Sequence, residues 1–182
     1  MEFSMRKLGI ALLLLLTMPL TALADDADAY WGVMLGKTDY DDPTVDLSLL
    51  SFTGRFGYEF GKFLSLEGRL LFSGGESKAG VVDDLMIEYL GNVSAKVNLP
   101  LGDAKRVNLY GVVGYSTWKI SYDSFGADTY FTDDGVSYGV GIDLFADGIN
   151  GINLEWVRYA DNTKNGVDYT LDSFALGYVR RF

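Results

Sequence analysis

The chain closes on Phe174-Ala175-Leu176-Gly177-Tyr178-Val179-Arg180-Arg181-Phe182. Phe174, Leu176 and Tyr178 share one side of this run, and Ala175, Gly177 and Val179 share the other. A two-residue period means a strand, because successive side chains point to opposite faces. Counting this last run (residues 169–182), the signature appears about eight times along the chain. Residues 47–60 set Leu50, Phe52, Phe56, Tyr58 and Phe60 against Ser51, Thr53, Arg55, Gly57 and Glu59. Residues 63–72 set Leu64, Leu66, Leu70 and Phe72 against Ser65, Glu67 and Arg69. Residues 86–99 set Ile87, Tyr89, Val93, Ala95 and Val97 against Glu88, Leu90, Asn92, Ser94 and Lys96. Residues 136–145 and 151–159 repeat the pattern, with Asp143 and Glu155 on their polar sides. Residues 30–37 alternate weakly, and residues 107–122 admit two registers around Gly111 and Gly114.

Upstream of the strands, Arg6 and Lys7 precede the apolar stretch Leu8–Met18, which Pro19 breaks before Ala22-Leu23-Ala24. A positive segment, a short apolar core and a small-x-small site make a secretory signal peptide over residues 1–24. That core is too short to span a bilayer as a helix, which takes ~20 apolar residues. Export then leaves one domain, residues 25–182. Removing Glu2, Arg6 and Lys7 takes the net charge from −10 to −11, which argues against a nucleic-acid partner. The chain has 22 Gly and 3 Pro, which suits strands that bend and pass close together.

An exported chain of strands with one apolar and one polar face predicts an all-β, eight-stranded, antiparallel up-and-down transmembrane barrel. In hydrocarbon every backbone polar group needs a partner, and closure removes the free edges. The connections agree. Gly61-Lys62, Leu101–Ala104 and Asp147–Asn150 are short, whereas Thr38–Asp46, Gly74–Leu85, Asp123–Gly135 and Ala160–Asp168 are longer and polar. Short turns and both termini then lie on the periplasmic side and four long loops lie outside. The rival is a soluble β-sandwich with its apolar faces in a protein core. In a barrel, Phe52, Tyr58, Phe60, Phe72, Tyr89, Trp156, Tyr178 and Phe182 form aromatic girdles at the two membrane surfaces. Arg55, Glu67, Arg69, Glu88, Lys96, Asp143 and Glu155 point inward. An eight-stranded lumen is just wide enough for side chains to fill. These charges therefore read as a structural plug, with a narrow porin-like ion channel as the alternative.

Tyr110-Gly111-Val112-Val113-Gly114-Tyr115, Ser137-Tyr138-Gly139-Val140-Gly141 and the terminal Gly177-Tyr178 with Arg181-Phe182 resemble small outer-membrane barrels of the OmpA/OmpX type. The ending departs from that family's compact Gly-Tyr-Arg-Phe by Val179 and Arg180. The resemblance implies location in the cell outer membrane. It also implies that Phe174, Leu176, Tyr178 and Phe182 are the signal read by the barrel-assembly machinery. Surface adhesion is a role found among such relatives.

The chain has no histidine and no cysteine, which excludes Ser-His-acid and Cys-His nucleophiles and histidine-dependent zinc chemistry. The acidic pairs Asp41-Asp42, Asp83-Asp84 and Asp133-Asp134 fall in predicted loops and read as solvated surface, so no catalytic residue, metal or cofactor is assigned. Asp39, Asp41, Asp42 and Asp46, and likewise Asp123, Asp128, Asp133 and Asp134, lack EF-hand spacing. Their specific use, if any, is to share divalent cations with neighbouring lipopolysaccharide. Tyr122, Phe125, Tyr130 and Phe131 read equally as a binding surface or as upper girdle. Large aqueous pores need ~16–18 strands. The expectation is a structural and surface-interaction protein whose partners are membrane lipid, lipopolysaccharide, the assembly machinery and a host or envelope ligand.

Overall fold

A computed structural model describes residues 28–78, 82–102, 106–124, 127–164 and 166–182. The predicted leader lies outside them. The strands are β1 (Asp28–Asp41), β2 (Asp46–Phe60), β3 (Leu64–Ser73), β4 (Glu76–Lys78), β5 (Val82–Leu101), β6 (Val107–Ser124), β7 (Ala127–Phe145), β8 (Asn150–Lys164) and β9 (Val167–Arg181). All neighbours are antiparallel, β3 pairs with β5, and β1 pairs with β9 from Tyr30↔Arg181 to Asp41↔Thr170. The ring therefore closes with eight strands, and β4 is a short addition on the edge of β5.

One end of the barrel carries the start of β1, the C-terminus and the β2–β3 and β7–β8 turns. At the β7–β8 turn Asp147 accepts the backbone N–H groups of Ile149 and Asn150 at 2.9 and 2.6 Å. Gly148 supplies the positive φ, 81°, that this tight reversal requires. At the other end the strands run on well past the expected boundaries. Thr38–Asp41 and Asp161–Lys164 are strand, as are Ala127–Gly135 and Val167–Asp168, where long loops are expected from the sequence.

The reason is an inversion of phase. Along β9, Phe174, Leu176 and Tyr178 face outward, but further up Tyr169 and Leu171 face inward and Thr170 and Asp172 outward. Along β2 the outward apolar set Leu50, Phe52 and Phe56 gives way to inward Leu47 and Leu49. Inside the hydrocarbon the apolar face must look out, and above it the apolar face must look in. Thr38, Ser51 and Ser173 mark the change. The Thr38 hydroxyl lies 2.8 Å from Ser51 Oγ and 3.2 Å from Ser173 Oγ.

Above that level Tyr40, Leu47, Leu49, Leu85, Ile87, Trp118, Ile120, Tyr159 and Leu171 form one buried apolar cluster. The Tyr169 ring stacks on Tyr40 at 5.9 Å and meets Phe131 and Trp118 edge-on at 6.0 and 6.3 Å. β6 takes the register with Tyr110, Val112, Ser116, Trp118 and Ile120 inward and Leu109, Val113 and Tyr115 outward.

Candidate functional site: the ionic layer and the hairpin end

Six charged side chains meet inside the barrel, below the apolar cluster. Each sits on an inward position of its strand, and each is buried. Arg69 grips Glu155 with two parallel bonds, Nη1–Oε1 at 2.6 Å and Nη2–Oε2 at 2.7 Å, while its Nε donates to Glu67. Arg55 Nη2 reaches Asp143 Oδ1 at 2.9 Å, and Lys96 Nζ reaches Asp143 Oδ2 at 2.8 Å. Arg55 Nη1 stands 3.7 Å from Glu67 and 3.8 Å from Glu155. Among the described residues the layer therefore balances Arg55, Arg69 and Lys96 against Glu67, Asp143 and Glu155. Buried charge is tolerated only with such pairing and with hydrogen bonds to the remaining lone pairs.

Tyrosines and an asparagine supply those bonds. Tyr30 donates to Glu67 at 2.6 Å and Tyr110 donates to Glu155 at 2.8 Å. Asn153 Nδ2 donates to Asp143 at 2.8 Å and to the Tyr110 hydroxyl at 2.7 Å. The Lys96 ammonium lies 3.9 Å from the Tyr110 ring centroid and 4.7 Å from that of Tyr30, within cation–π range. Tyr110 needs the bare backbone of Gly141, where a Cβ would fall 2.3 Å from its hydroxyl oxygen. The sequence does not single out Tyr30 or Asn153, and Tyr110 enters it only in the motif that carries the family resemblance. Their signal was a tyrosine or an amide on the polar phase of a strand.

Glu88 is a correction. The alternation of residues 86–99 put it inward, but a bulge between Ile87 and Tyr89 shifts the phase. Ile87 turns inward and is fully buried, and Glu88 instead pairs with Lys119 at 2.5 Å, both of them partly exposed. Of the girdle residues, Phe52, Phe72, Tyr89 and Trp156 face outward toward the hairpin end. Tyr58, Phe60, Tyr178 and Phe182 do so toward the terminus end. Phe174, Leu176 and Tyr178 line one outward row of β9, and Phe182 follows the end of that strand. Arg181 points inward, pairs with Glu59 at 3.3 Å and covers the Phe145 ring at 3.9 Å.

At the hairpin end the acids are engaged in local contacts. Asp42 accepts the Thr44 and Val45 backbone N–H groups, each at 2.8 Å, and the Thr44 hydroxyl at 2.7 Å. Partial burial pushes its carboxyl up, but these bonds and that from Tyr40 outweigh it and hold it below the usual carboxylate range. Asp133 accepts the Tyr169 hydroxyl at 2.7 Å, and burial together with that carboxylate pushes the phenol well up. Asp134 accepts the Tyr115 hydroxyl, Asp39 accepts that of Ser48, and Arg158 holds Asp172 with bonds of 2.8 and 2.7 Å. Among the described residues no three acids gather in a metal-holding group. Phe125 and the side chains of Asp83, Asp84, Asp123 and Asp128 lie outside the described residues. Tyr130 is exposed outward under the Lys119 ammonium, 4.5 Å away, whereas Tyr122 and Phe131 pack against the interior cluster.

The fold has solved counterparts. Neisserial surface protein A superposes with a TM-score of 0.72 at 16% identity, covering 87% of this chain and 100% of that one. OprG from Pseudomonas aeruginosa gives 0.62 at 12% identity, covering 85% and 96%. Ail of Yersinia pestis, solved with the heparin analogue sucrose octasulfate, gives 0.60 at 16% identity, covering 85% and 99%. No curated protein matches by sequence. The family model for the outer membrane protein beta-barrel domain matches residues 9–182. The chain therefore belongs to the outer membrane protein beta-barrel family and resides in the cell outer membrane.

Proposed function

We propose that this protein is a closed outer-membrane barrel that acts through its extracellular half, as a structural element and a surface for interaction. The termini and short turns lie in the periplasm, and the hairpin end stands outside the cell. The observation that carries this reading is the apolar cluster around Trp118, Tyr169 and Leu171, which occupies the interior of the hairpin end above the ionic layer. An ion leaving the layer outward meets hydrocarbon rather than water, which disfavours conduction. Function then falls to the outer surfaces of the protruding strands.

Their charge indicates what they can hold. The outward side of β2, β1, β9 and β8 carries Asp39, Asp41, Asp46, Asp161 and Asp172 against Lys37 and Arg158. A sulfated sugar such as the one in the Ail complex would be repelled there, so a cationic or neutral partner fits better. The aromatic and hydroxyl groups of Tyr115, Thr117 and Tyr130, on the other side, suit neighbouring lipopolysaccharide sugars.

The test is conductance of the refolded protein in planar bilayers, with folding verified by heat-modifiable gel migration. Silence is expected. Discrete openings that change when Glu67 or Lys96 is neutralised would make this a narrow ion channel and overturn the closed reading.

A further inference from the structure

Two arginines stand on the outward face of the closing strands, one toward each end. Arg158 on β8 lies toward the hairpin end and finds its counter-charge in the protein: its Nε and Nη2 donate to the two Asp172 carboxylate oxygens at 2.8 and 2.7 Å. Arg180 on β9 lies at the terminus end and is exposed. Among the described residues it makes no hydrogen bond or ion pair. Lys37, Arg55, Arg69, Lys96, Lys119 and Arg181, the other basic side chains described in the strands, each have a carboxylate within 4 Å. The sequence departs from the compact family ending at this same place, since Val179 and Arg180 put a charge into an otherwise apolar outward row.

The surroundings of Arg180 are fixed by the ladder. It stands opposite Trp31 of β1 and Asn150 of β8. The Trp31 ring meets Tyr178 edge-on, with centroids 5.6 Å apart. The Tyr178 hydroxyl donates to Asn150 Oδ1, and Asn150 Nδ2 donates to Asp147 at 2.6 Å. Both ends of the Asn150 amide are thus engaged, and Asp147 is held behind it in its own turn. The guanidinium and the Trp31 indole N–H remain as donors without an acceptor among the described residues. The next outward rung is Val33, Tyr178 and Ile152, and the one after it is Leu35, Leu176 and Leu154. One rung advances about 6–7 Å along a strand. The two donors therefore lie just past the edge of the apolar band, at head-group depth rather than in bulk water.

We infer that Arg180, Trp31 and Tyr178 form a binding site for the phosphodiester of a membrane phospholipid. The guanidinium fork takes two phosphate oxygens, which a planar five-donor group does better than an ammonium. The indole N–H adds a donor at the same depth, and the acyl chains lie over Val33, Leu35 and Leu176. At the hairpin end Asp172 neutralises the outward arginine, whereas at this end the membrane supplies the anion. The choice of a phospholipid over a lipopolysaccharide phosphate rests on the periplasmic placement proposed above; the site itself does not, nor does it depend on whether the lumen conducts.

The probe is dioleoyl phosphatidylglycerol offered to the refolded protein in detergent micelles, with retained lipid counted by native mass spectrometry. Wild type is expected to hold a single lipid above background. Arg180→Gln should lower retention at least about fivefold, and Arg180→Lys should fall between the two because it cannot fork. Trp31→Phe keeps a ring and removes the donor, and should cost about twofold. Lys62→Gln should change nothing: Lys62 is an exposed cation in the β2–β3 turn, between Phe60 and Phe63, whose rings carry no donor. Dioleoylglycerol, which lacks the phosphate, should not be retained, and inorganic phosphate should not displace the lipid. Equal retention by Arg180→Gln, or of dioleoylglycerol, would reduce the contact to acyl packing and overturn the proposal. An equal loss in Lys62→Gln would reduce it to rim electrostatics, and displacement by inorganic phosphate would make it a free-anion site; either overturns it. Preference for lipid A, lost in the same variants, would overturn the phospholipid assignment and the orientation it rests on. Gel migration of each variant verifies folding, and conductance of the same samples reads the lumen separately.

Discussion

Replacing Asp143 by asparagine removes one of three negative charges from a layer that holds three positive ones, at almost unchanged volume. Asp143 takes a bond of 2.9 Å from Arg55 and bonds of 2.8 Å from Lys96 and Asn153. The variant leaves Arg55 and Lys96 buried in a layer of net charge +1. Removing one partner of a buried ion pair costs about 3–5 kcal/mol, because the remaining charge stays desolvated. With a urea slope of about 2 kcal/mol per molar, the unfolding midpoint should fall by about 1.5–2.5 M. The assay is equilibrium unfolding in lipid vesicles, read by tryptophan fluorescence and gel mobility. The companion variant, Asp143→Asn with Lys96→Met, restores neutrality and should recover at least about half of the loss, a positive coupling in a double-mutant cycle. A loss below about 1 kcal/mol in the single variant, or zero coupling in the cycle, would refute the reasoning: the charges would then be hydrated and the pairing incidental.

Two further outcomes follow from the same geometry. Trp118→Ala empties the centre of the hairpin-end cluster, where the side chain is fully buried, and should destabilise the protein by about 3–5 kcal/mol in the same unfolding assay. In the β7–β8 turn, bonds from the Asn150 backbone and side chain and from the Ile149 N–H bring the Asp147 carboxyl down to about 2. A depressed carboxylate contributes its stabilisation above the ordinary value and loses it as the pH falls through the depressed one. The Ile149 and Asn150 amide shifts should therefore hold through pH 4 and move only toward pH 2, and Asp147→Asn should abolish that transition.

The membrane-spanning half was legible in the sequence because one rule governs it throughout. Lipid outside and paired polar groups inside give a single phase that can be read from Leu50 to Phe60 or from Phe174 to Phe182. The alternation of residues 47–60, 63–72 and 86–99 aimed Arg55, Arg69 and Lys96 inward without any knowledge of their partners. The protruding half was misread as loops because its phase is reversed. Asp39 and Tyr40, or Leu171 and Asp172, look like broken alternation to a reader who expects apolar outward. Glu88 was misplaced because a one-residue bulge leaves no mark in a two-residue period. That β7 pairs with β8 only from Tyr138↔Arg158 to Phe145↔Gly151 leaves no mark in the sequence, since it depends on register between distant segments.

The level of Thr38, Ser51 and Ser173, where the polarity of the two faces changes over, is in effect a waterline written into the strands. The protein's draught is set by the count of outward apolar residues between that line and the terminal turns. A bilayer thicker or thinner than this span must deform around the protein, at a fraction of a kcal/mol per ångström. Moving the line by one inward–outward pair along every strand would make the same barrel ride higher or lower. The height of its protruding hairpin end above the lipid is thus an adjustable quantity, set apart from that end's own packing.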